Sequence, residues 1–279
     1  MTRIGIIGMG EIGSYYAGKV LEAGYPLTVY NRTASKTKDV AAKGAVVAQT
    51  PGEVVERSDI MILALLNSAV VEKIVSEDMA PYLKAGQLVI DTSTCLPATE
   101  VKCEAICEAR GAGYLDAPLT RRASGHIIMV GGKEKYVEQG SELLTCISYK
   151  FGHVGPIGSG QVLKAMNQAY MANTLANNAE IIEFAVRAQM DPALLSTLLE
   201  LPVPQNMLDE HYDGKRNLSM HYKDLGYFLE IAHDTMANVP LTGFVHEIFK
   251  TSKLFGDPSW AQVGIRTYYQ RLNADRPEG

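Results

Sequence analysis

The sequence has little of what marks membrane proteins and disulfide-stabilised secreted domains. No run approaches the roughly 18 uncharged apolar residues that a transmembrane helix needs. The chain has four cysteines, Cys95, Cys103, Cys107 and Cys146. Because they form neither a CxxC pair nor an evenly spaced framework, we predict thiols in a reducing compartment. We therefore expect a cytoplasmic protein with no membrane association.

Metal-binding and hydrolase motifs are missing as well. The six histidines show neither HxxxH nor HExxH spacing, so we predict no metal site. A GxSxG motif is also missing, which argues against a serine hydrolase. The formal net charge of −5 gives no positive field that would attract nucleic acid or an anionic membrane. The expected partner is therefore a small molecule.

The length and composition fit two globular domains. At roughly 150 residues per domain, the 279 residues predict two domains, each with its own core. Hydrophobic residues make up 47% of the chain and charged residues 20%, which is ordinary for a globular protein. The apolar run that begins at Ile4 is interrupted by Gly5 and Gly8, so it is too short for the core of a signal sequence.

Residues 1–160 alternate short apolar runs with longer amphipathic ones, which predicts parallel strands joined by helices. The expected strands are 4–7, 27–30, 45–47, 60–65, 88–90, 114–115 and 127–130. The first, fourth and fifth lack polar alternation, as in strands that helices cover on both faces. We therefore predict a Rossmann-type, doubly wound α/β domain over residues 1–160.

After Gly160 the strand patterns give way to helical ones. Residues 161–190 contain neither proline nor glycine, which predicts one helix of about 30 residues. Asp191-Pro192 supplies the N-cap and first-turn proline of a further helix. We therefore predict an all-α domain over 161–279, built on a long interdomain helix and ending in a frayed tail at 275–279.

The segment Gly8-Met9-Gly10-Glu11-Ile12-Gly13 matches the GxGxxG pattern. The bare pattern is weak, but here it follows a buried strand and opens a helix over 11–22 that leads to a second strand. Glycines at these positions permit a tight turn and let the backbone approach a pyrophosphate at the helix N-terminus. We predict that these six residues bind a dinucleotide, the alternative being a merely compact turn.

The second strand ends in Asn31-Arg32-Thr33, at the position that contacts the adenine ribose in dinucleotide-binding domains. An acidic residue there would accept from the 2′-hydroxyl of NAD and repel the 2′-phosphate of NADP. This chain has no acid, and Arg32 offers a planar cationic fork that suits a phosphate. We predict NADP as the cofactor and NAD as the less favoured one, with a solvated Arg32 as the alternative.

Five motifs resemble, in order and spacing, those of the β-hydroxyacid dehydrogenase family, and they cover nearly the whole chain. They are the GxGxxG loop, Asp91-Thr92-Ser93-Thr94, Asp116-Ala117-Pro118-Leu119-Thr120, the segment 158–168 (GSGQVLKAMNQ) and Lys223-Asp224-Leu225. The resemblance implies a nicotinamide-dependent oxidoreductase that acts on a small hydroxyacid or its semialdehyde. It also implies a homodimer or homotetramer formed through the helical domain.

The resemblance assigns the catalytic acid/base to Lys164, near the start of the long helix where the two domains should meet. An exposed lysine has a pKa of about 10.4 and is a poor base at neutral pH. Burial beside an oxidised nicotinamide would disfavour the ammonium and lower that pKa. Lys164 is then expected to exchange a proton with the substrate oxygen, the alternative being an exposed surface lysine.

The resemblance also implies further contacts. Asn167 and Gln168 lie three and four residues after Lys164, so they share its helix face and are expected to orient substrate. The alternative for Asn167 is a polar residue that lines the domain interface. Thr94 follows a strand whose carboxyl end faces the site, and we expect it beside the nicotinamide ribose, with a helix N-cap as the alternative. Three more residues are expected at the cofactor: Leu65, Leu66 and Lys223. The alternative for Lys223 is an ordinary surface salt bridge.

The chain departs from the family motif DAPVSGG, because arginines follow Thr120 where the family has glycines. Thr120 keeps the hydroxyl that holds the substrate carboxylate, but the glycine amide cradle is in doubt. A guanidinium can instead bind a carboxylate, sulfonate or phosphate through two parallel hydrogen bonds. We predict that Arg121, Arg122 or both read an acidic group of a small anionic substrate, the alternative being two solvated arginines.

Three other functions fit parts of the pattern. An imine reductase shares the architecture, but its family typically replaces the lysine that is retained here as Lys164. Oxidative decarboxylases of sugar acids are longer and carry His-Asn where this chain has Asn167-Gln168. A non-catalytic NADP-binding protein would keep the dinucleotide loop without needing Lys164.

Overall fold

A computed structural model describes residues 1–214, 217–257 and 259–274. The chain divides into two compact units, Met1–Lys164 and Ala165–Gly279. The first unit contains the β-sheet with its helices, and the described part of the second unit is helical. The predicted frayed tail at 275–279 lies outside the described residues.

The strands β1 to β9 are Ile4–Ile7, Leu27–Tyr30, Val46–Val47, Ile60–Leu63, Leu88–Asp91, Gly113–Asp116, Leu119–Arg122, Gly125–Gly132 and Lys150–Gly155. The described α-helices α1 to α12 are Glu11–Glu22, Lys38–Ala41, Pro51–Arg57, Ser68–Lys73, Pro97–Glu108, Glu134–Ile147, Ser159–Arg187, Leu194–Thr197, Gln205–Leu208, Leu218–Asp234, Pro240–Phe255 and Arg266–Ala274. Short 3₁₀ helices cover Ala34–Thr37 and Gln262–Ile265, and a π-helical stretch, Ile74–Met79, continues α4.

The sheet has the strand order β3-β2-β1-β4-β5-β6-β8-β7, with β9 paired to β8. All pairs from β3 to β6 are parallel, which confirms the predicted Rossmann-type fold. From β1 the chain adds β2 and β3 on one side and then crosses to add β4, β5 and β6 on the other side, so β1 and β4 flank the point where the strand order reverses. In open α/β sheets, ligands bind at the carboxyl ends of the strands that flank this point.

One edge of the sheet differs from the sequence prediction. The strand predicted at 127–130 is part of the longer β8, which runs antiparallel to β6 rather than parallel. The sequence does not predict β7 and β9, because β7 is Leu-Thr-Arg-Arg and β9 is Lys-Phe-Gly-His-Val-Gly. Neither has the apolar run that identifies a buried strand. Both strands pair with β8 in the folded sheet.

Side chains of the central strands alternate between two apolar layers. Ile6 of β1 packs with Tyr16 of α1 on one face of the sheet. Ile7 packs with Val54 of α3 on the other face. Successive strand residues point to opposite faces, so covering both faces fixes the register of β1. The same packing therefore fixes the loop that follows β1.

The predicted long helix is α7, which has 29 residues and runs from Ser159 to Arg187. The boundary between the two compact units falls within it, after Lys164. In the second unit, Ala172 of α7 belongs to one core with Leu225 of α10 and Phe249 of α11. Among the described residues, no helix is both long and apolar enough to cross a membrane.

Candidate active site

The loop after β1 forms a tight turn at the start of α1. Gly8 has a φ of +101°, a backbone conformation that favours glycine. A Cβ at Gly13 would lie 1.8 Å from the carbonyl oxygen of Gly8, so α1 packs directly on the loop. Gly10 caps α1 without a side-chain hydrogen bond, and a Cβ there would meet no described atom within 4 Å. With Ile12 packed on the core, this leaves an open helix N-terminus that suits a pyrophosphate.

Asn31 connects the end of β2 to this loop. Its Oδ1 accepts a hydrogen bond from the Met9 backbone N–H at 2.9 Å, and its Nδ2 donates to the Thr33 carbonyl at 2.9 Å. Met9 is buried, whereas Arg32 and Thr33 are exposed. Asn31 therefore holds the loop in place, and the exposed Arg32 directly follows it after β2.

The loops after β4 and β5 are held together by Ser93. Its Oγ accepts from the Leu65 backbone N–H at 2.9 Å, and its own N–H donates to the Asp91 carboxylate at 2.8 Å. Leu65 is half-buried, Leu66 is 70% exposed, and Thr94 is half-buried. Three predicted cofactor residues thus follow the carboxyl ends of neighbouring strands. Ser93 had no predicted role of its own, although it lies beside Thr94 in the sequence.

Three of the predicted substrate residues, Thr120, Arg121 and Arg122, lie on β7, and the two arginines have different partners. Arg122 Nη1 donates to the Thr120 hydroxyl at 2.8 Å. Arg121 Nη2 pairs with Glu11 Oε1, in the first turn of α1, at 2.9 Å. Arg122 therefore lies with the Thr120 hydroxyl, and Arg121 lies with the dinucleotide loop.

Lys164 is not an exposed surface lysine. It is 8% exposed, and its Nζ donates to the Leu119 carbonyl at 2.8 Å. Leu119 directly precedes Thr120 on β7. The amine therefore lies next to the strand that carries the predicted substrate-binding hydroxyl, with one N–H direction set by a backbone carbonyl.

Asp116, at the end of β6, holds the start of α7. One carboxylate oxygen accepts from the Gly158 N–H at 2.7 Å, and the other accepts from the Gln161 N–H at 2.9 Å. Burial raises the pKa of Asp116 to about 6, while the two N–H donors act in the opposite direction. This role could not be predicted from the sequence, because the partners are 42 and 45 residues away along the chain.

A buried hydrogen-bonded cluster lies next to this cap. Gln161 Nε2 donates to one oxygen of Glu100 at 2.6 Å, and the Tyr114 hydroxyl donates to the other at 2.8 Å. Desolvation, followed by the nearby carboxylates of Asp91 and Asp116, raises the pKa of Glu100 well above its ordinary value. The cluster connects α5 and β6 to the first turn of α7.

The remaining predicted site residues form a chain of polar contacts in the second unit. Asn167 Nδ2 donates to Gln168 Oε1 at 2.9 Å, and Gln168 Nε2 donates to Asp224 Oδ2 at 2.8 Å. Lys223 Nζ pairs with the other oxygen of Asp224 at 3.2 Å. Asp224 is buried and contacts two of the predicted residues, Gln168 and Lys223. It was not predicted as a site residue, although its position beside Lys223 was a signal.

Two family models match the chain in succession. The first, described as the NAD binding domain of 6-phosphogluconate dehydrogenase, matches residues 3–155. The second, described as NAD-binding of NADP-dependent 3-hydroxyisobutyrate dehydrogenase, matches residues 158–263. The chain belongs to the β-hydroxyacid dehydrogenase family. The family resemblance and the predicted enzyme class are confirmed.

Individual proteins agree with this assignment. The chain is 27% identical to mouse mitochondrial 3-hydroxyisobutyrate dehydrogenase, over 99% of this chain and 88% of that protein. It is 25% identical to the 2-(hydroxymethyl)glutarate dehydrogenase of Eubacterium barkeri, over 91% and 90%. The solved structure of Mycobacterium tuberculosis 3-hydroxyisobutyrate dehydrogenase with L-serine matches with a TM-score of 0.89 at 22% identity, covering 97% of this chain and 99% of that one. At this identity the structural match shows the fold.

As a member of this family, the chain is a dehydrogenase that uses a nicotinamide cofactor. The residues of the first unit fit such a cofactor. The N-terminus of α1 carries no side-chain cap at Gly10, and the position beside Gly10 is open among the described atoms. Helix N-termini favour anions, so this turn suits the two phosphates of a dinucleotide.

Proposed function

We propose that this dehydrogenase prefers NADP and moves hydride between the nicotinamide and a small β-hydroxyacid or its semialdehyde. The observation that carries the proposal is the buried Lys164 amine, 2.8 Å from the Leu119 carbonyl and next to Thr120. When bound, the cofactor supplies the hydride chemistry. The residues of the chain supply proton exchange, substrate orientation and an anion site.

Lys164 is the acid/base in this proposal. During oxidation its nitrogen accepts the proton of the substrate hydroxyl, and during reduction it returns a proton to the substrate oxygen. The hydrogen bond to Leu119 fixes one N–H of the amine, which keeps the nitrogen in one orientation. Its low exposure limits competition from bulk water.

Thr120 and Asn167 orient the substrate. The hydrogen bond from Arg122 brings a guanidinium and the Thr120 hydroxyl together, and a carboxylate can accept from both. Asn167 lies three residues after Lys164 on α7 and therefore on the same helix face. Its hydrogen bond to Gln168 gives the amide a fixed neighbour. We propose that Gln168 also faces the substrate.

We propose that Arg122 is the arginine that binds an acidic group of the substrate. Replacing it with alanine should lower kcat/KM for carboxylate substrates about 10- to 100-fold, the effect of losing a charged hydrogen bond. Uncharged aldehydes should be nearly unaffected. Steady-state kinetics with monocarboxylic, dicarboxylic and uncharged aldehydes measure this difference. The glutarate named for the E. barkeri relative is a dicarboxylate, which supports including that class.

Arg121→Ala is the matched comparison for this experiment. Arg121 pairs with Glu11 at 2.9 Å, so its loss should act mainly through the KM of the cofactor. Unchanged kinetics in both alanine variants, for every substrate, would show that neither arginine recognises the anion.

We propose the NADP preference because Arg32 is exposed after β2 and no acidic side chain stands at that position. Arg32→Ala should reduce kcat/KM with NADP about 10- to 100-fold, because a charge-assisted phosphate contact is lost. The value of kcat/KM with NAD should change little. Parallel assays with both cofactors give the ratio.

Arg110→Ala is the control for Arg32. Arg110 is exposed and lies shortly before the amino end of β6, whereas cofactor residues follow the carboxyl ends of strands. It should leave the NADP to NAD ratio unchanged. If the ratio of kcat/KM with NADP to kcat/KM with NAD is the same before and after Arg32→Ala, then Arg32 does not select NADP.

The domain roles and assembly are part of the proposal. Residues 1–160 would bind the dinucleotide, with Thr94 at the nicotinamide ribose, and residues 161–279 would contribute substrate residues, Lys223 at the cofactor and self-association. Tyr170 and Phe184 on α7 are 73% and 69% exposed, which supports a further surface packing on this helix. We propose a cytoplasmic homodimer or homotetramer, and light scattering of the purified protein measures the assembly.

A substrate panel tests the proposed reaction directly. Short β-hydroxyacids and their semialdehydes are assayed with NADP and NAD by the absorbance of the reduced cofactor. Cyclic imines and ketone–amine pairs are included because an imine reductase would turn over those instead. Turnover of imines alone, or cofactor binding without turnover of any acid, would contradict the proposal.

A further inference from the structure

We infer that Asp116 is a positioning residue that determines where the Lys164 amine lies. The inference rests on the proposed function, in which Lys164 exchanges the substrate proton. Asp116 acts through the backbone of α7 rather than on the substrate. Its influence reaches the amine by two routes, the first turn of the helix and the strand that accepts the amine's hydrogen bond.

The first route is the cap on α7. The first N–H groups of a helix have no partner within the helix, and a neighbouring side chain usually satisfies one of them. Here one buried carboxylate from β6 accepts from both Gly158 and Gln161. A negative charge at this end of a helix is also favoured by the helix dipole. Lys164 follows Gln161 by three residues, less than one turn.

The Asp116 carboxylate is closely surrounded by backbone atoms. A Cβ at Gly160 would lie 2.6 Å from Asp116 Oδ2 and 2.4 Å from the Met129 carbonyl oxygen. A Cβ at Gly131 would lie 2.2 Å from Asp116 Oδ1. The missing side chain at Gly160 therefore lets the carboxylate approach the backbone of α7, and the missing side chain at Gly131 leaves room for the carboxylate beside β8.

The second route is the segment from Asp116 to Leu119. At one end the carboxylate holds the helix backbone, and at the other end the Leu119 carbonyl accepts from the Lys164 amine at 2.8 Å. Between them, the Ala117 N–H donates to the Asp91 carbonyl at 2.7 Å, and the Pro118 carbonyl accepts from the Met129 N–H at 3.0 Å. The segment is thus anchored to the sheet.

One short segment, 116–119, therefore holds both the helix backbone that leads to Lys164 and the Lys164 amine itself. A shift of the first turn of α7 relative to β7 would change the direction of the Lys164 amine. General acid/base catalysis depends on hydrogen-bond distance to the reacting oxygen, so such a shift reduces the rate of the chemical step. Each oxygen of the Asp116 carboxylate accepts from one of these two N–H groups, whereas a carboxamide would offer one accepting oxygen and one NH₂ donor.

Asp116→Asn should lower kcat about 100-fold, the loss expected from a misplacement of about 1 Å. The carboxamide oxygen can accept from one backbone N–H, but the amide NH₂ would face the other. The Kd for NADPH, measured by fluorescence titration, should change little, because the dinucleotide loop lies on β1 and α1. A merely structural weakening would instead lower thermal stability and leave kcat per folded molecule unchanged.

A double-mutant cycle with Asp116→Asn and Lys164→Met shows whether Asp116 affects kcat through Lys164 or independently of it. If Asp116 acts through Lys164, adding Asp116→Asn to the methionine variant produces no further loss of the residual rate. Losses that multiply in the double variant would overturn the inference. Thr50→Ala is the matched capping control, because Thr50 caps α3 by accepting from the Glu53 N–H and should leave kcat unchanged.

Asp116→Ser is the second variant, for the case that the asparagine variant does not fold. Its smaller hydroxyl can accept one of the two hydrogen bonds, and it should show the same kcat loss with unchanged NADPH affinity. Wild-type kcat in a folded Asp116 variant, together with an inactive Lys164→Met enzyme, would refute positioning while the proposed function stands. Wild-type kcat in Lys164→Met would refute the proposed function itself.

Discussion

Replacing Lys164 with methionine is expected to lower kcat about 10²- to 10⁴-fold, the contribution of a positioned general acid or base. Methionine is flexible and apolar, so it can fill the buried position, but it exchanges no proton. Single-turnover oxidation of NADPH measures the chemical step apart from product release. The Kd for NADPH should stay close to that of the unmodified enzyme.

Lys164→Arg is the informative control. Arginine keeps the positive charge and a donor for the Leu119 carbonyl, but a guanidinium is not deprotonated in proteins. We therefore expect the arginine variant to be as inactive as the methionine variant. Recovery of most of the rate by arginine would identify Lys164 as an electrostatic anchor instead of an acid/base. Lys84→Met removes an exposed lysine and should have no effect.

Gly13→Ala is expected to weaken NADPH binding about 100-fold or more. The added methyl would lie 1.8 Å from the Gly8 carbonyl oxygen, so either the loop or the start of α1 must move. Such overpacking costs about 1–3 kcal/mol or more. The displaced N-terminus would also lose its charge-assisted contacts to the pyrophosphate, each worth about 1.5–3 kcal/mol. Fluorescence titration with NADPH gives the Kd, and a thermal melt gives the stability.

Gly18→Ala is the matched control on the same helix. A Cβ at Gly18 would meet no described atom within 4 Å, so alanine fits there without displacement. Alanine in a helix interior stabilises by about 0.5–1 kcal/mol relative to glycine. We expect a slightly higher melting temperature and an unchanged Kd. Normal NADPH binding by Gly13→Ala would show that this loop does not hold the cofactor.

Local patterns were sufficient for much of the first unit. The predicted bounds of β1, β2 and α1 match the structure, because buried apolar strands and a glycine turn before an amphipathic helix leave strong local signals. The long helix was predicted over 161–190 and spans Ser159–Arg187. The absence of proline and glycine over that range is likewise a local property.

Local patterns could not predict the contacts between segments that are distant along the chain. β7 forms against β8 although Leu-Thr-Arg-Arg has no strand signal of its own. The two adjacent arginines look equivalent in the sequence, yet one pairs with Glu11 and the other with Thr120. Which partner each side chain meets depends on strand pairing and on the position of α1, and neither is encoded in the residues beside it.

The sequence by itself determined the family, the doubly wound fold and the glycine turn before α1, because these depend on residue type and short spacing, and the family resemblance then made Lys164 the candidate acid/base. Only the tertiary structure decided that Asp116 caps α7 and that the Leu119 carbonyl directs the Lys164 amine. The partners in these contacts are 42 to 45 residues apart along the chain. Such contacts arise only when packing of the sheet and helices brings the segments together, since each segment alone has many alternative conformations.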